Sequence, residues 1–231
     1  LNGHRPKHKK ACKKRAAELR DEILFKQPES SCYGDCPICF LPLSLDLNKS
    51  GMMACCSKLI CRGCSYANII REMEQKIERK CPFCRHPAPK SQEEFHRNRM
   101  KRVEANDPVA LREVGKRRGK EGDHKSPFEF LSMAAELGDI EAHYELSVMY
   151  RDGQGVEKDK KKKVYHLEVA AIGGNDLARF NLGAIEYENG NHERAVKHFI
   201  IAANLGHERL CLLALRIFNY TVPALCHPVL L

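Results

Sequence analysis

Four closely spaced cysteine pairs dominate residues 36–84 and limit what this part of the chain can become. They read Cys36-x2-Cys39, fifteen residues, Cys55-Cys56, four residues, Cys61-x2-Cys64, sixteen residues, Cys81-x2-Cys84. A segment of about fifty residues buries too little apolar surface to hold itself together. Zinc takes four thiolate or imidazole ligands tetrahedrally, and a Cys-x2-Cys knuckle places two sulfurs about 3.7 Å apart on one ion. Eight ligands in four pairs therefore imply two zinc ions, whose binding would supply folding energy. Disulfides are the competing use of so many cysteines, but they need an oxidising compartment. The basic start of the chain is followed by no apolar signal region, so the expectation is a cytoplasmic or nuclear protein with reduced thiols. A redox site built on one Cys-x2-Cys is disfavoured, because three such knuckles and a fourth pair overdetermine the metal.

The segment "CPICFLPLSLDLNKSGMMACCSKLICRGCSYANIIREMEQKIERKCPFCRHP" resembles a RING finger, the cross-braced two-zinc module of ubiquitin ligases. In that family the first and third pairs share one ion, and the second and fourth share the other. The resemblance thus implies one site of Cys36, Cys39, Cys61 and Cys64, and a second of Cys55, Cys56, Cys81 and Cys84. It departs from the common pattern in having no histidine between residues 40 and 80. His86 is the nearby substitute, and it follows Cys84. Cys32 falls outside the spacing and reads as a spare thiol. A RING has no nucleophile of its own; it holds a ubiquitin-charged conjugating enzyme in a reactive arrangement, which is catalysis by positioning. The family's binding surface corresponds to Ile38 inside the first knuckle, Pro82 after the seventh ligand and Arg85 after the eighth. Arg85 would hydrogen-bond ubiquitin and the conjugating enzyme through its guanidinium fork. The tryptophan frequent in such interfaces is absent, since the chain contains none.

Beyond residue 106 the texture changes to a repeat. Ala110, Ala142 and Ala178 correspond, as do Gly115, Ser147 and Gly183, at steps of 32 and 36 residues. The Ala-Ala pairs at 134–135, 170–171 and 202–203 correspond at steps of 36 and 32. Each unit reads as two antiparallel helices with small residues where the helices cross, and Gly138, Gly173 and Gly206 are placed to close the second helix in the left-handed conformation. One such pair cannot bury its own apolar face, so the units must stack. They resemble Sel-1-like repeats, relatives of the tetratricopeptide family. The second unit carries the fullest signature, in Ala142, Leu146, Tyr150, Gly153, Gly155, Val156, Asp159 and Lys162. In the third, Tyr187 and Gly190 fall one residue late and the "GQGV" loop is missing; the first lacks that loop as well.

Residues 9–26 read as an amphipathic helix, with Ala16, Leu19, Ile23 and Leu24 at helical spacing. A second helix is expected over 65–80, on the stripe Ala67, Ile70, Met73 and Ile77. The pair His8 and Cys12 resembles the last two ligands of a MYND finger, whose other six would lie before residue 1. A first residue of Leu rather than Met fits a fragment. Residues 1–27 hold nine Lys/Arg against three Asp/Glu, and residues 85–120 hold eleven against five. Such patches can bind phosphates, but no aromatic residues interleave with the first to stack bases, so solvated helices are the plainer reading and nucleic acid is disfavoured. The run "EKDKKKK" at 157–163 reads the same way, as a solvated turn and helix start. No apolar run approaches the roughly 18 residues of a membrane span.

The expected fold is mostly α. A basic helix at 1–27 precedes a small two-zinc cross-braced RING finger (α+β) at 28–90. A helical connector at 91–105, an α-helical repeat solenoid of about three units at 106–206, and a partial or degenerate cap at 207–231 follow. The expected function is a RING-type ubiquitin-protein transferase with no covalent intermediate on this chain. Its partners would be a ubiquitin-conjugating enzyme and ubiquitin at the RING, and a protein substrate or adaptor on the repeats. The alternative is a non-catalytic zinc-binding scaffold.

Overall fold

The structure is a computed structural model; it describes residues 5–120 and 125–206, with side chains from residue 13 onward except those of residues 47 and 120–126. The expected cap at 207–231, and the side chains of His8 and Cys12, lie outside the described residues. The described chain is mostly helical and divides into two compact units. One is Ser30–Leu167; the other joins the described residues up to Glu29 to those from Glu168 onward.

In the first unit a two-stranded antiparallel sheet, β1 (Ser50–Met52) and β2 (Leu59–Cys61), pairs Ser50 with Cys61 and Met52 with Leu59. Leu43, Ile60 and Cys36 are buried around it, with Tyr33, Met53 and Phe83 packed against them. A helix, α2 (Arg62–Glu74), follows β2 directly, and the Cys61 sulfur caps it by accepting the Cys64 N–H. It is shorter than the expected 65–80: Gln75 caps the end, and Lys76 takes a positive φ that halts propagation. The expected stripe does not form its buried face. Ala67, Met73 and Ile77 are exposed, and the helix is instead tied down through Glu72. This buried carboxylate accepts Asn68 Nδ2 at 2.9 Å and the Lys80 backbone N–H at 3.2 Å, and lies 3.9 Å from Arg79. A polar anchor replaces an apolar one because what the Glu72 carboxylate meets is an amide, a backbone N–H and a guanidinium.

A further helix, α3 (Gln92–Glu104), is capped by Ser91 and leads into the repeats. These contain α4 (Pro108–Lys120), α5 (Lys125–Glu136), α6 (Ile140–Asp152), α7 (Lys160–Ile172), α8 (Asp176–Glu188) and α9 (His192–Asn204). In the first unit, Leu111, Leu131, Leu146 and Met149 form a buried cluster, with Ala134 and Ala142 wholly enclosed where the helix backbones come close. The starts of α4, α6 and α8 share one device: Asp107, Asp139 and Asn175 each accept the N–H three residues on, from Ala110, Ala142 and Ala178, at 2.7–3.0 Å. Asp159 does the same for α7, accepting from Lys161 and Lys162 at 2.8 and 3.0 Å. The lysine run thus opens a helix, as a solvated start requires.

The glycine that closes the second helix of the middle repeat is Gly174 (φ 86°), not Gly173. With Gly138 and Gly206, also at positive φ, it keeps the same steps of 36 and 32 as the alanines. The late Gly190 has a local cause. After α6, Gly153 takes the left-handed cap itself; after α8, Asn189 stays right-handed and Gly190 makes the turn one residue later.

In the second unit, Ala195 and Phe199 of α9 pack with Phe180 and Tyr187 of α8. Gly183 is obligatory there: a Cβ at that position would lie 2.6 Å from Phe199 Cε1. The N-terminal helix, α1 (Arg5–Leu24), belongs to this unit. Of its expected stripe only Leu24 is buried; Ala16, Leu19 and Ile23 are exposed.

Candidate metal centre

The cysteines sit on three kinds of local structure. Cys36–Cys39 and Cys81–Cys84 lie in two knuckles, Cys55 and Cys56 in the turn between β1 and β2, and Cys61 and Cys64 across the junction of β2 and α2. The two knuckles are copies of one another, "CPICFLP" and "CPFCRHP". In the first, the Cys36 N–H donates to Leu41 O at 2.8 Å and the Phe40 N–H to Cys36 O at 2.8 Å. In the second, the Cys81 N–H donates to His86 O at 2.8 Å and the Arg85 N–H to Cys81 O at 3.1 Å. Each is closed by a single bridge, Asp35 with Pro42 and Lys80 with Pro87. In each, the residue after the second cysteine turns back at positive φ, Phe40 at 58° and Arg85 at 61°. The second proline of each motif marks where the chain leaves the knuckle, a signal present in the sequence that spacing of cysteines alone passes over.

Chain order and spatial order interleave. Cys36, Cys39, Cys61 and Cys64 form one group and Cys55, Cys56, Cys81 and Cys84 another; within each, the sulfurs all lie within 4.8 Å. Sulfur separations within the groups include Cys39–Cys61 at 3.8 Å, Cys56–Cys81 at 3.7 Å and Cys55–Cys84 at 3.3 Å. A tetrahedral site with metal–sulfur bonds of about 2.3 Å needs sulfurs about 3.7 Å apart, so the residues fit an ion in each group. No described cysteine is in a disulfide. The groups are the two sets of four assigned above. Cys32 and His86 join neither: the Cys32 thiol lies 3.7 Å from Glu141 Oε2, and His86 Nδ1 lies 2.9 Å from Pro87 O.

Burial and backbone donors act unequally on the sulfurs. At Cys36 burial opposes ionisation, but backbone N–H groups, including that of Cys61 at 3.4 Å, outweigh it and bring the thiol down to about 6. Cys81 is lowered in the same way, against its burial, by the N–H groups of Cys84 and Phe83. Their neighbours move oppositely. Burial and the adjacent sulfurs push the Cys55 and Cys56 thiols up, and hydrogen bonding to Cys61 pushes Cys64 up to about 12. The backbone thus favours one thiolate in each group, Cys36 in the first and Cys81 in the second.

Of the three expected contact residues, Ile38 and Arg85 are exposed on the first and second knuckles, and Pro82 is half-buried in the second. Phe40 and Leu41 extend the apolar surface around Ile38, at 77% and 65% exposure. The buried Glu72, which fixes α2 relative to the second knuckle, had no counterpart in the sequence reading.

No helix among the described residues is long and apolar enough to cross a membrane. Among curated proteins, none matches the chain. The solved structures similar to part of the chain include these two. A Sel1 repeat protein from Oxalobacter formigenes is 28% identical, covering 53% of this chain and 97% of its own, with a TM-score of 0.46. A protective antigen present in uropathogenic Escherichia coli strains, displaying an SLR fold, is 29% identical over 48% of this chain and 25% of its own, with a TM-score of 0.44. The Sel1 repeat family matches residues 109–139, 140–175 and 176–207, boundaries that coincide with the starts of α4, α6 and α8 to within a residue. Residues 109–207 are three consecutive Sel1 repeats.

Proposed function

We propose that residues 28–90 are a RING-type module binding two zinc ions, and that the chain is a ubiquitin ligase recruiting its protein substrate or adaptor through the Sel1 repeats. The observation that carries this reading is the interleaving of the cysteine pairs, first with third and second with fourth. A pair of independent zinc knuckles would join neighbours in sequence; a cross-brace makes the two ions lock one small fold, with each ion tying down segments that the other also restrains. Zinc would be held by Cys36, Cys39, Cys61 and Cys64, and by Cys55, Cys56, Cys81 and Cys84. When bound it supplies charge neutralisation for the thiolates and rigidity, not reaction chemistry.

The chain's own residues then act by positioning. Ile38, with Phe40 and Leu41 beside it, offers an apolar surface to the conjugating enzyme. Arg85, held at φ 61° by the knuckle, carries five donors in a fixed fork for carbonyl or carboxylate oxygens of the enzyme and ubiquitin. Aligning the thioester and the attacking amine in this way lowers the entropic part of the barrier without a covalent intermediate on this chain. The test is autoubiquitination with a panel of conjugating enzymes. Wild type should form chains with at least one of them, and Ile38→Ala or Arg85→Ala should slow that at least tenfold with the zinc content unchanged. No chains with any enzyme rejects the ligase reading. The competing reading, a protein-binding scaffold with purely structural zinc, is favoured by the lack of any tryptophan for the interface. It predicts retained zinc with no transfer.

A further inference from the structure

The second unit holds the N-terminal helix in an unusual way. A helix that belongs to a core buries a stripe along its length; α1 leaves Ala16, Leu19 and Ile23 exposed and is held towards its C-terminal end, where Arg20 pairs with Glu168 and the last turn is gripped by α8 and α9. The grip centres on Arg179 of α8. Its side chain is wholly buried, and its guanidinium donates to the carbonyl oxygens of Leu24 and, at 3.3 Å, of Lys26, at the end of α1. A fully desolvated guanidinium is ordinarily matched by a carboxylate; here its hydrogen bonds go to the end of a helix, which carries partial negative charge. Burial draws the Arg179 pKa down to about 10, and the hydrogen bonds of its guanidinium among the described residues go to carbonyl oxygens.

Around this point α9 supplies a set of contacts specific to side chains. Arg194 pairs with Asp21 and lies 4.8 Å over the Phe25 ring. Lys197 sits 5.5 Å over the same ring, and the buried His198 ring packs 4.8 Å from it. Asn204 Nδ2 donates to Gln27 Oε1 at 3.2 Å. The pattern read out is an acidic residue, an aromatic four places later, and the open carbonyls of a helix end between and just beyond them.

We infer that the α8–α9 surface is a recognition site for the C-terminal end of a helix bearing an acidic residue four positions before an aromatic one, and that Asp21–Gln27 fill it in cis. The site is then an interaction surface whose own chain acts as a tethered competitor, and the partner it fits is a helix of the same chemistry. A tethered ligand is held at high effective concentration, so the partner gains access when the grip of Asp21 and Phe25 is weakened.

The probe is a fluorescent peptide of residues 14–27, added to the zinc-loaded 231-residue chain. The Asp21→Lys/Phe25→Ala chain, with its cis segment loosened, should bind the peptide at least tenfold more tightly than wild type. Adding Arg179→Met to that chain should abolish the binding, as should the same two changes made in the peptide instead. Equal binding by wild type and the loosened chain, or binding that survives Arg179→Met, overturns the inference. A second measurement guards against misfolding. In Arg179→Met alone, amides of residues 13–26 should exchange at least tenfold faster while those of 176–204 keep their protection. If both segments lose protection together, Arg179 is a core residue and the surface is not a recognition site.

Discussion

Replacing Asp139 by alanine removes two interactions in one step. Its Oδ1 accepts the Ala142 N–H at 2.8 Å and caps α6, and its two oxygens hold Arg112 Nη1 at 3.0 and 2.9 Å. The Arg112 side chain is 9% exposed and that of Asp139 4%, so water cannot take over either role. A lost cap costs about 1 kcal/mol. Breaking a buried ion pair from one side costs about 3–5 kcal/mol, because the surviving charge is stranded. Glu113, 3.4 Å from Arg112 Nε, recovers part of that, which places the pair at the low end of the range. Asp139→Ala should therefore lose about 4 kcal/mol. Asp139→Asn keeps a capping oxygen and should lose about 3 kcal/mol. Arg112→Met/Asp139→Asn strands no charge and should be more stable than Asp139→Asn alone. Urea unfolding followed by far-UV circular dichroism reads this directly: with a slope of about 2 kcal/mol per molar, the alanine midpoint falls by about 2 M. A loss below about 1 kcal/mol for Asp139→Ala, or a double variant no more stable than Asp139→Asn, refutes the reasoning.

Other consequences are equally direct. Gly183→Ala puts a methyl 2.6 Å from Phe199 Cε1 and should cost about 1–3 kcal/mol through overpacking, visible as a lowered melting temperature; an unchanged one would mean Phe199 is free to move. Metal analysis should give about two zinc ions per chain, and Cys81→Ser, which breaks one site of a cross-brace whose ions restrain each other's segments, should give about one or none; no loss would remove Cys81 from the ligand set. The imidazoles of His143 and His166 meet with their Nδ1 atoms 2.9 Å apart. Burial lowers both, that of His166 to about 4, helped by the charges of His143 and Lys162. An unfolded histidine titrates near 6.5, so between about 6.5 and 4 the unfolded chain binds the extra proton. Stability is then fully present above pH 6.5 and falls as the pH drops through that window. His166→Phe should flatten this slope in equilibrium unfolding between pH 4 and 7; an unaltered slope would show that other groups set it.

How much of this was legible beforehand follows from the range of each interaction. Which cysteine pairs share an ion came from the family resemblance alone, but spacing supplied the four pairs themselves, because knuckles are local turns. The three repeats were legible for the same reason: Ala110, Ala142 and Ala178 each stand three residues after a capping Asp107, Asp139 or Asn175, inside one helical turn. Misplacing the positive φ at Gly173 instead of Gly174 was an error of one residue between two neighbouring glycines, which local pattern cannot separate. What the tertiary structure alone decided lies in contacts between distant segments. The apolar stripe with helical spacing on α1 is largely exposed, and that helix is held at its end by Arg179, a buried cation that meets backbone carbonyls. Composition and periodicity reward apolar residues for being inside. They carry no record of which carbonyl or N–H another part of the chain will offer to a charge, and that pairing, at a separation of 155 residues between Arg179 and Leu24, exists only once the chain has folded.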